Sequence, residues 1–205
     1  MDTRELVLAS NNRGKLAELQ QLMQPLGVQL IRQADLGIGE AEEPFHTFVE
    51  NALAKARHAA RASGRPALAD DAGLCVDALG GQPGVDTAFY AMRLGYPKGD
   101  DHNVTALLAQ LADQTERRAA LVSTLVALRH ADDPEPLIAV GRAVGEITRE
   151  RRGTQGFGFD PVMYIPSEGM TFAEMSEARK NALSHRGQAA RAMVALMRER
   201  WGWGA

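Results

Sequence analysis

Asp70 and Asp71 stand side by side after the apolar stretch Pro66-Ala67-Leu68-Ala69. Adjacent carboxylates resist joint ionisation unless a cation joins them. Mg2+ is the natural cation for such a pair, because it takes few carboxylates and fills its shell with water and phosphate oxygens. The plainer alternative is one Asp capping a turn and the other in solvent. A second cluster is the loop Ser10-Asn11-Asn12-Arg13-Gly14-Lys15. If a helix starts there, its unpaired N–H groups suit phosphate, and Lys15 adds a full positive charge. The loop lacks the Walker A spacing, and an ordinary polar turn remains open. Glu40, Glu42 and Glu43 precede a candidate helix. Acids there are commonly dipole partners, or one of them completes a metal site with Asp71.

Further along, Lys55 shares a helical face with Asn51 and His58. Lys55 can snorkel over apolar neighbours or neutralise phosphate. The run Gly153-Thr154-Gln155-Gly156-Phe157-Gly158-Phe159-Asp160-Pro161 is rich in glycine and aromatics. Phe157 or Phe159 can stack a base and Asp160 can accept from a base or sugar; alternatively the phenylalanines plug a core. Lys180 and Ser184-His185-Arg186 supply donors, which suit the O6 and N7 acceptors of a keto purine. No His or Cys cluster has zinc spacing. Cys75 reads as a small core residue, and Trp201 and Trp203 receive no function.

The elements that must position these groups alternate between strand and helix. Leu6 to Ser10 reads as a strand, and a helix follows with Leu16, Leu19, Leu22, Met23 and Leu26 on one side, stopped by Gly27. Val28 to Ile31 is a second strand. Thr47 to Ser63 is a helix with Thr47 and Glu50 as a capping box. Pro66 to Ala69 is a strand ending at the acid pair. Asn103 to Leu111 is a helix capped by Asp100 or Asp101. Ala119–Arg129 and Leu137–Ile147 form an antiparallel pair around the turn Asp132-Asp133-Pro134-Glu135-Pro136. Val162 to Ile165 is a short strand, and Phe172–Lys180 and Gln188–Arg200 are helices. The expected architecture is α/β, a mixed twisted sheet flanked by helices. Residues 1–205 make a single domain with two lobes, the long strand pair forming the second.

Composition narrows the class. The chain has 205 residues, 45% hydrophobic and 24% charged, with 23 Lys and Arg against 26 Asp and Glu. That is globular, and it carries no basic excess for a nucleic-acid polymer. No apolar run approaches a membrane span. The charged start Met1-Asp2-Thr3-Arg4-Glu5 leads into an apolar stretch too short for a signal peptide, and the single cysteine fits a reducing compartment. A cytoplasmic protein is expected.

The stretches LVLASNNRGKLAEL (6–19), TFVENALAKARHAA (47–60), ALADDAGLCVDALGGQPGV (67–85), GTQGFGFDPV (153–162) and Lys180 with SHRGQA (184–189) together resemble the non-canonical purine nucleoside triphosphate pyrophosphatases, the inosine triphosphatase family. The resemblance implies two lobes around a deep nucleotide cleft, a homodimer, and Mg2+-dependent hydrolysis of ITP, dITP and XTP to the monophosphate and pyrophosphate. It implies that Ser10 to Lys15 hold phosphates, that Glu43 and Asp71 bind metal, and that Asp71 is the general base, with Asp70 assisting. Lys55 sits against phosphate and metal. Phe157, Gly158, Phe159, Asp160, Lys180, His185 and Arg186 form the nucleoside pocket. Two departures stand out. Ala72 replaces a serine common after the acid pair, leaving only its backbone N–H. Thr87-Ala88-Phe89-Tyr90 replaces Ser-Ala-Arg-Tyr, with Arg93 the nearest arginine, and the stretch Ala91 to His102 is longer than usual. A pyrophosphatase for pyrimidine or modified nucleotides, which would open with Ser-Pro-Arg-Arg, and a catalytically silent nucleotide-binding module are the competing readings.

Overall fold

Alternation along the first strand decides which helices can cover it. In a strand, successive side chains point to opposite faces. Here Leu6 and Leu8 enter one apolar cluster, and Val7, with Ala9 just past the strand's end, enters another. The computed structural model describes residues 4–204; Met1, Asp2 and Thr3 of the charged start, and Ala205, lie outside them. In chain order the elements are β1 (Arg4–Leu8), α1 (Arg13–Leu22), β2 (Val28–Arg32), α2 (Phe48–Ser63), β3 (Ala67–Val76), α3 (Tyr90–Arg93), α4 (Asp100–Gln110), β4 (Arg118–Leu128), β5 (Leu137–Ile147), β6 (Met163–Ile165), β7 (Met170–Thr171), α5 (Glu177–Leu183) and α6 (His185–Trp201). The strands form one mixed sheet in the order β2-β1-β3-β4-β5-β6-β7. β1 pairs in parallel with β2 and β3, whereas β6 pairs antiparallel with β5 and β7. The expected α/β class is borne out.

The chain divides into two compact units. The first runs through Asp71, then takes Ser123–Gly141 and everything from His185 onward. The second takes Ala72–Val122 and Arg142–Ser184. The long strand pair does not make a lobe of its own; its turn end belongs to the first unit.

In the first unit, α1 and α6 cover one face of the strands. Leu19, Met23, Ala189, Ala190, Met193 and Met197 meet Leu6, Leu8, Leu68 and Leu125 there. On the other face α2 lays Ala52, Ala56, Ala59 and Ala60 against Val7, Ala67, Ala69 and Val126. These small side chains allow a close helix–sheet approach. Gly141 serves the same end on the opposite face: a Cβ there would collide with the main chain of His185 and Ala189, so glycine lets the start of α6 sit directly on β5. Thr47 caps α2, accepting from the Glu50 N–H, as expected. α1 stops at Leu22 rather than at Gly27. Pro25 sits in a separate short 3-10 turn, Gln24–Leu26, because it cannot serve an α-helix interior.

In the second unit Leu74, Val76, Tyr90, Leu107, Leu111, Phe159, Val162, Met163 and Phe172 form the core. Arg117 ties this unit's edges together, donating to the carbonyls of Leu111, Ile147 and Thr148 at 2.6, 2.6 and 2.8 Å. The expected helix Phe172–Lys180 is interrupted. A 3-10 turn covers Phe172–Glu174, Met175 is extended, and Ser176 caps α5 afresh. α4 begins at Asp100, so Asp100 and Asp101 lie in its first turn rather than at its cap. Among the described residues no helix is long and apolar enough to cross a membrane.

Candidate active site

The acid pair lies inside β3, not beyond its end; the strand continues to Val76. Strand alternation then separates the two carboxylates. Asp70 keeps the side of Leu68 and faces α1 and α6, while Asp71 keeps the side of Ala69 and faces α2. Each therefore finds its own cations. A strand can continue through two acids because both are neutralised by distant residues, a fact invisible to local sequence.

Asp70 is buried. Its carboxylate accepts from Arg186 Nε at 3.0 Å and from Ser123 Oγ at 2.7 Å, and lies 3.2 Å from Lys15 Nζ. Burial acts to raise its pKa, but Lys15, Arg186 and Ser123 outweigh that and hold the carboxyl well below the usual carboxylate range. Burial likewise lowers Lys15, against the pull of Asp70, with Arg186 and Lys55 adding to the fall. The other side of Arg186 meets Glu18, NH1 to Oε2 at 2.5 Å. Lys15 and Glu18 are one turn apart on α1, so Lys15, Asp70, Arg186 and Glu18 form a chain of alternating charge, buried at Asp70 and Arg186, that returns to its own helix.

Asp71 has a different setting. Its Oδ1 accepts from Lys55 Nζ at 2.7 Å, and the same ammonium donates to Glu43 Oε2 at 2.7 Å. Its Oδ2 is buried and has no hydrogen-bond partner among the described residues. Burial pushes Asp71 up to about 6, against the pull of Lys55. Burial also opposes charge on Lys55, but Asp71 and Glu43 leave it above its ordinary value. A buried oxygen without a donor, next to a half-exposed glutamate, fits the chemistry of a cation that takes few protein ligands. Among the described residues no group of three or more His, Cys, Asp and Glu gathers to hold a metal, which does not suit a fully protein-ligated zinc.

Lys15 and Lys55 come from different helices and meet. Both ammonium groups reach the main-chain oxygen of Asp70, at 3.4 and 3.3 Å. The loop before α1 is a capping turn: Asn12 Oδ1 accepts from the Lys15 N–H, and Ser10 Oγ accepts from the Asn12 N–H. Asn11 donates to Glu40 at 3.1 Å. Arg13 and Gly14 open α1, and Glu42 is exposed.

In the second unit Lys180 is buried, with Nζ 2.7 Å from Asp160 Oδ2 and 4.7 Å from the centroid of the Phe157 ring. The same Asp160 oxygen accepts from the Phe157 N–H at 2.8 Å. Gly156 has φ 76°, and a Cβ there would collide with the Asp160 carboxylate. Gly158 N–H donates to Asp100 at 3.0 Å. The two phenylalanines part company: Phe159 is core, whereas Phe157 is only half-buried beside Lys180. Of the pair expected to stack a base, Phe157 alone keeps part of its surface open to solvent. Asp160, expected to accept from a base or sugar, is engaged by Lys180 and the loop.

Arg186, expected to contribute donors to a nucleoside pocket, is buried with Asp70 and Glu18 among its partners. His185 is buried at the start of α6. Glu18 and Ser123 were not singled out from sequence. Glu18 carried a signal, lying three residues after Lys15 on one helix; Ser123, a hydroxyl in an apolar strand, carried a fainter one.

A family model described as the Ham1 family matches residues 6–196. The chain belongs to the Ham1 family. Membership bears out the resemblance drawn from the motifs. The chain is 72% identical over 197 residues to a dITP/XTP pyrophosphatase of Paracidovorax citrulli, covering 96% of this chain and 99% of that protein. It is 71% identical over the same length to a protein of the same name from Albidiferax ferrireducens, again covering 96% and 99%. Among solved structures, a HAM1 protein from Coxiella burnetii superposes with a TM-score of 0.88 at 44% identity, covering 96% of this chain and all 100% of that one. The Staphylococcus aureus Ham1 protein gives 0.84 at 34%, covering 96% and 99%.

Where the motif reading of the Ham1 family expects an arginine, this chain has half-exposed Phe89, and Lys98 Nζ lies 5.1 Å from its ring centroid. Arg93 is paired with Asp86 at 2.5 Å. Ala72 is partly exposed on β3.

Proposed function

We propose that this Ham1-family protein is a nucleoside triphosphate pyrophosphatase that hydrolyses non-canonical purine nucleoside triphosphates such as dITP, XTP and ITP, releasing the monophosphate and pyrophosphate. The names of its relatives support the reaction class. One structural observation carries the assignment of residues: Lys15 and Lys55 converge on the Asp70 carbonyl, and Lys55 also holds Asp71. A triphosphate brings about four negative charges, and such a cradle of preorganised cations suits it.

In this reading Lys15, Lys55 and the N–H groups opening α1 hold the phosphates, with Ser10, Asn11, Asn12, Arg13 and Gly14 shaping that end of the helix. Asp71 accepts a proton from water. In the metal-free site burial raises its pKa, which strengthens it as a proton acceptor. Water attacks the α-phosphorus, the bond to the bridging α–β oxygen breaks, and pyrophosphate leaves with the electron pair. Asp71 and Glu43 would hold Mg2+, and a bound Mg2+ supplies charge neutralisation at the phosphate oxygens. Asp70 acts through others, gathering Lys15 with help from Arg186 and Glu18. Phe157, Gly158, Lys180 and His185 are assigned to the nucleoside, with Phe159 and Asp160 supporting the loop and Ala72 offering its N–H.

Donors suited to O6 would be left unpaired by the amino group of adenine, and each buried mismatch costs ~1–3 kcal/mol. The protein is further read as a cytoplasmic homodimer. The test is pyrophosphate release from dITP, XTP, dATP, dGTP and dCTP, with Mg2+ and with EDTA. The reading expects dITP and XTP to be favoured by at least ~100-fold, with activity abolished by EDTA. Preference for dCTP, or binding without pyrophosphate release, would replace it with one of the competing readings.

A further inference from the structure

We propose that Asn51 is a positioning residue for Glu43: with His58 it clasps the loop Gly37–Thr47 onto α2 and so sets where that carboxylate stands. The proposal rests on the reading of Glu43 and Asp71 as the metal-holding pair. The loop needs such a device. From Gly39 to Thr47 no residue is buried, and from Ile38 to Phe45 the chain has no regular structure. Ile38 is buried at its entry and Phe45 is exposed near its exit. Apolar packing therefore cannot fix the backbone between them.

Besides the Asn11–Glu40 bond, what fixes it is polar and follows helical spacing. Residues 51, 55 and 58 fall on one face of α2. Their partners descend along the loop in step: Phe45, Glu43 and Gly39. Asn51 is almost fully buried, and its amide makes two bonds to one residue, accepting from the Phe45 N–H at 3.1 Å and donating to the Phe45 carbonyl at 3.1 Å. A side-chain amide bound to both main-chain groups of one residue allows that residue little rotation. His58 Nε2 lies 3.0 Å from the Gly39 carbonyl, which assigns the proton on that nitrogen. Between these two points Glu43 meets Lys55. That ion pair alone would be a weak anchor, because the Glu43 side chain is 43% exposed. The polar stripe on α2 is thus a three-point clasp, with Lys55 as the only member assigned to phosphate.

The test compares Asn51→Ala, His58→Ala and the conservative His58→Gln with the wild type. Hydrogen exchange over residues 38–47 is measured in metal-free protein, and pyrophosphate release is measured against Mg2+ concentration. In Asn51→Ala the loop amides exchange on the order of tenfold faster. The Mg2+ needed for half-maximal rate rises severalfold, while the nucleotide KM at saturating Mg2+ stays within about twofold. His58→Ala shows a smaller rise in both, and His58→Gln, which keeps a donor, restores them. Should Asn51→Ala not fold, the His58 pair carries the test. Unchanged exchange would overturn the clasp, and faster exchange with an unchanged Mg2+ requirement would overturn the positioning role. A wild-type protein that releases no pyrophosphate would end the parent reading, while the exchange comparison would still judge the clasp.

Discussion

Asp70 and Asp71 are one step apart on β3, yet their surroundings have little in common. Asp70 is enclosed by two cations and a hydroxyl, with its carboxyl held far below the ordinary range. Among the described residues Asp71 has one ammonium, shared with Glu43, and a buried oxygen with no donor. The first is a saturated site and the second an unfinished one. Saturation is what a structural charge requires, because a buried ion survives only when paired and hydrogen-bonded. An unfinished site is where a ligand gains most.

The largest effect should come from emptying the saturated side. Asp70→Ala leaves Lys15 without its carboxylate and Arg186 with Glu18 but not Asp70, and the unfolding free energy should fall by ~3–5 kcal/mol in denaturant titration. A loss below ~1 kcal/mol would break the contrast. On the unfinished side, Lys55→Gln removes one of the two cations at the Asp70 carbonyl and the partner of Asp71. kcat/KM for dITP should drop by ~100-fold or more, roughly 3 kcal/mol, with the protein still folded. Ser123→Ala sharpens the comparison more gently. It removes one donor from Asp70 while both cations remain, and should cost ~1–2 kcal/mol of stability with kcat changed only slightly.

The smallest effect is expected at a carboxylate paired locally. Asp133, in the turn between β4 and β5, accepts from the main chain of Arg129 and Glu135 and from the Arg129 guanidinium. Arg129 first, then these N–H groups, overcome burial and hold its pKa below the carboxylate range. Because the folded value is depressed, its contribution is intact above the unfolded pKa of ~4 and is lost as pH falls toward the folded value. Asp133→Asn should therefore cost ~1 kcal/mol at neutral pH, and the gap from wild type should close on acidification. A gap that widened at low pH would reverse the sign argument.

Local signals were readable where local physics decides. The Thr47 cap, the apolar face of α2, the strand before Ser10 and the turn around Asp133 each follow from a few neighbouring residues. The family was legible too, because five motifs fell in register. What escaped depended on residues far apart in the chain. The acid pair looked like the end of a strand, since nothing nearby shows that Lys15 and Arg186 neutralise one acid and Lys55 the other. The ion pairs of Arg186 were not legible because its partners, Asp70 and Glu18, are more than a hundred residues away in sequence. The break at Met175 and Ser176 was hidden by a continuous helical composition, and the two-residue β7 was too short to register.

The central claim is that Asp71 performs the chemistry on a scaffold that does not need its charge. Asp71→Asn, assayed for pyrophosphate release from dITP and for melting temperature in the same preparation, tests it most directly. The expected result is a kcat lowered by at least ~1,000-fold with a melting temperature within a few degrees of wild type. A variant that keeps more than a tenth of its activity, or one that melts as early as Asp70→Ala, would contradict the account.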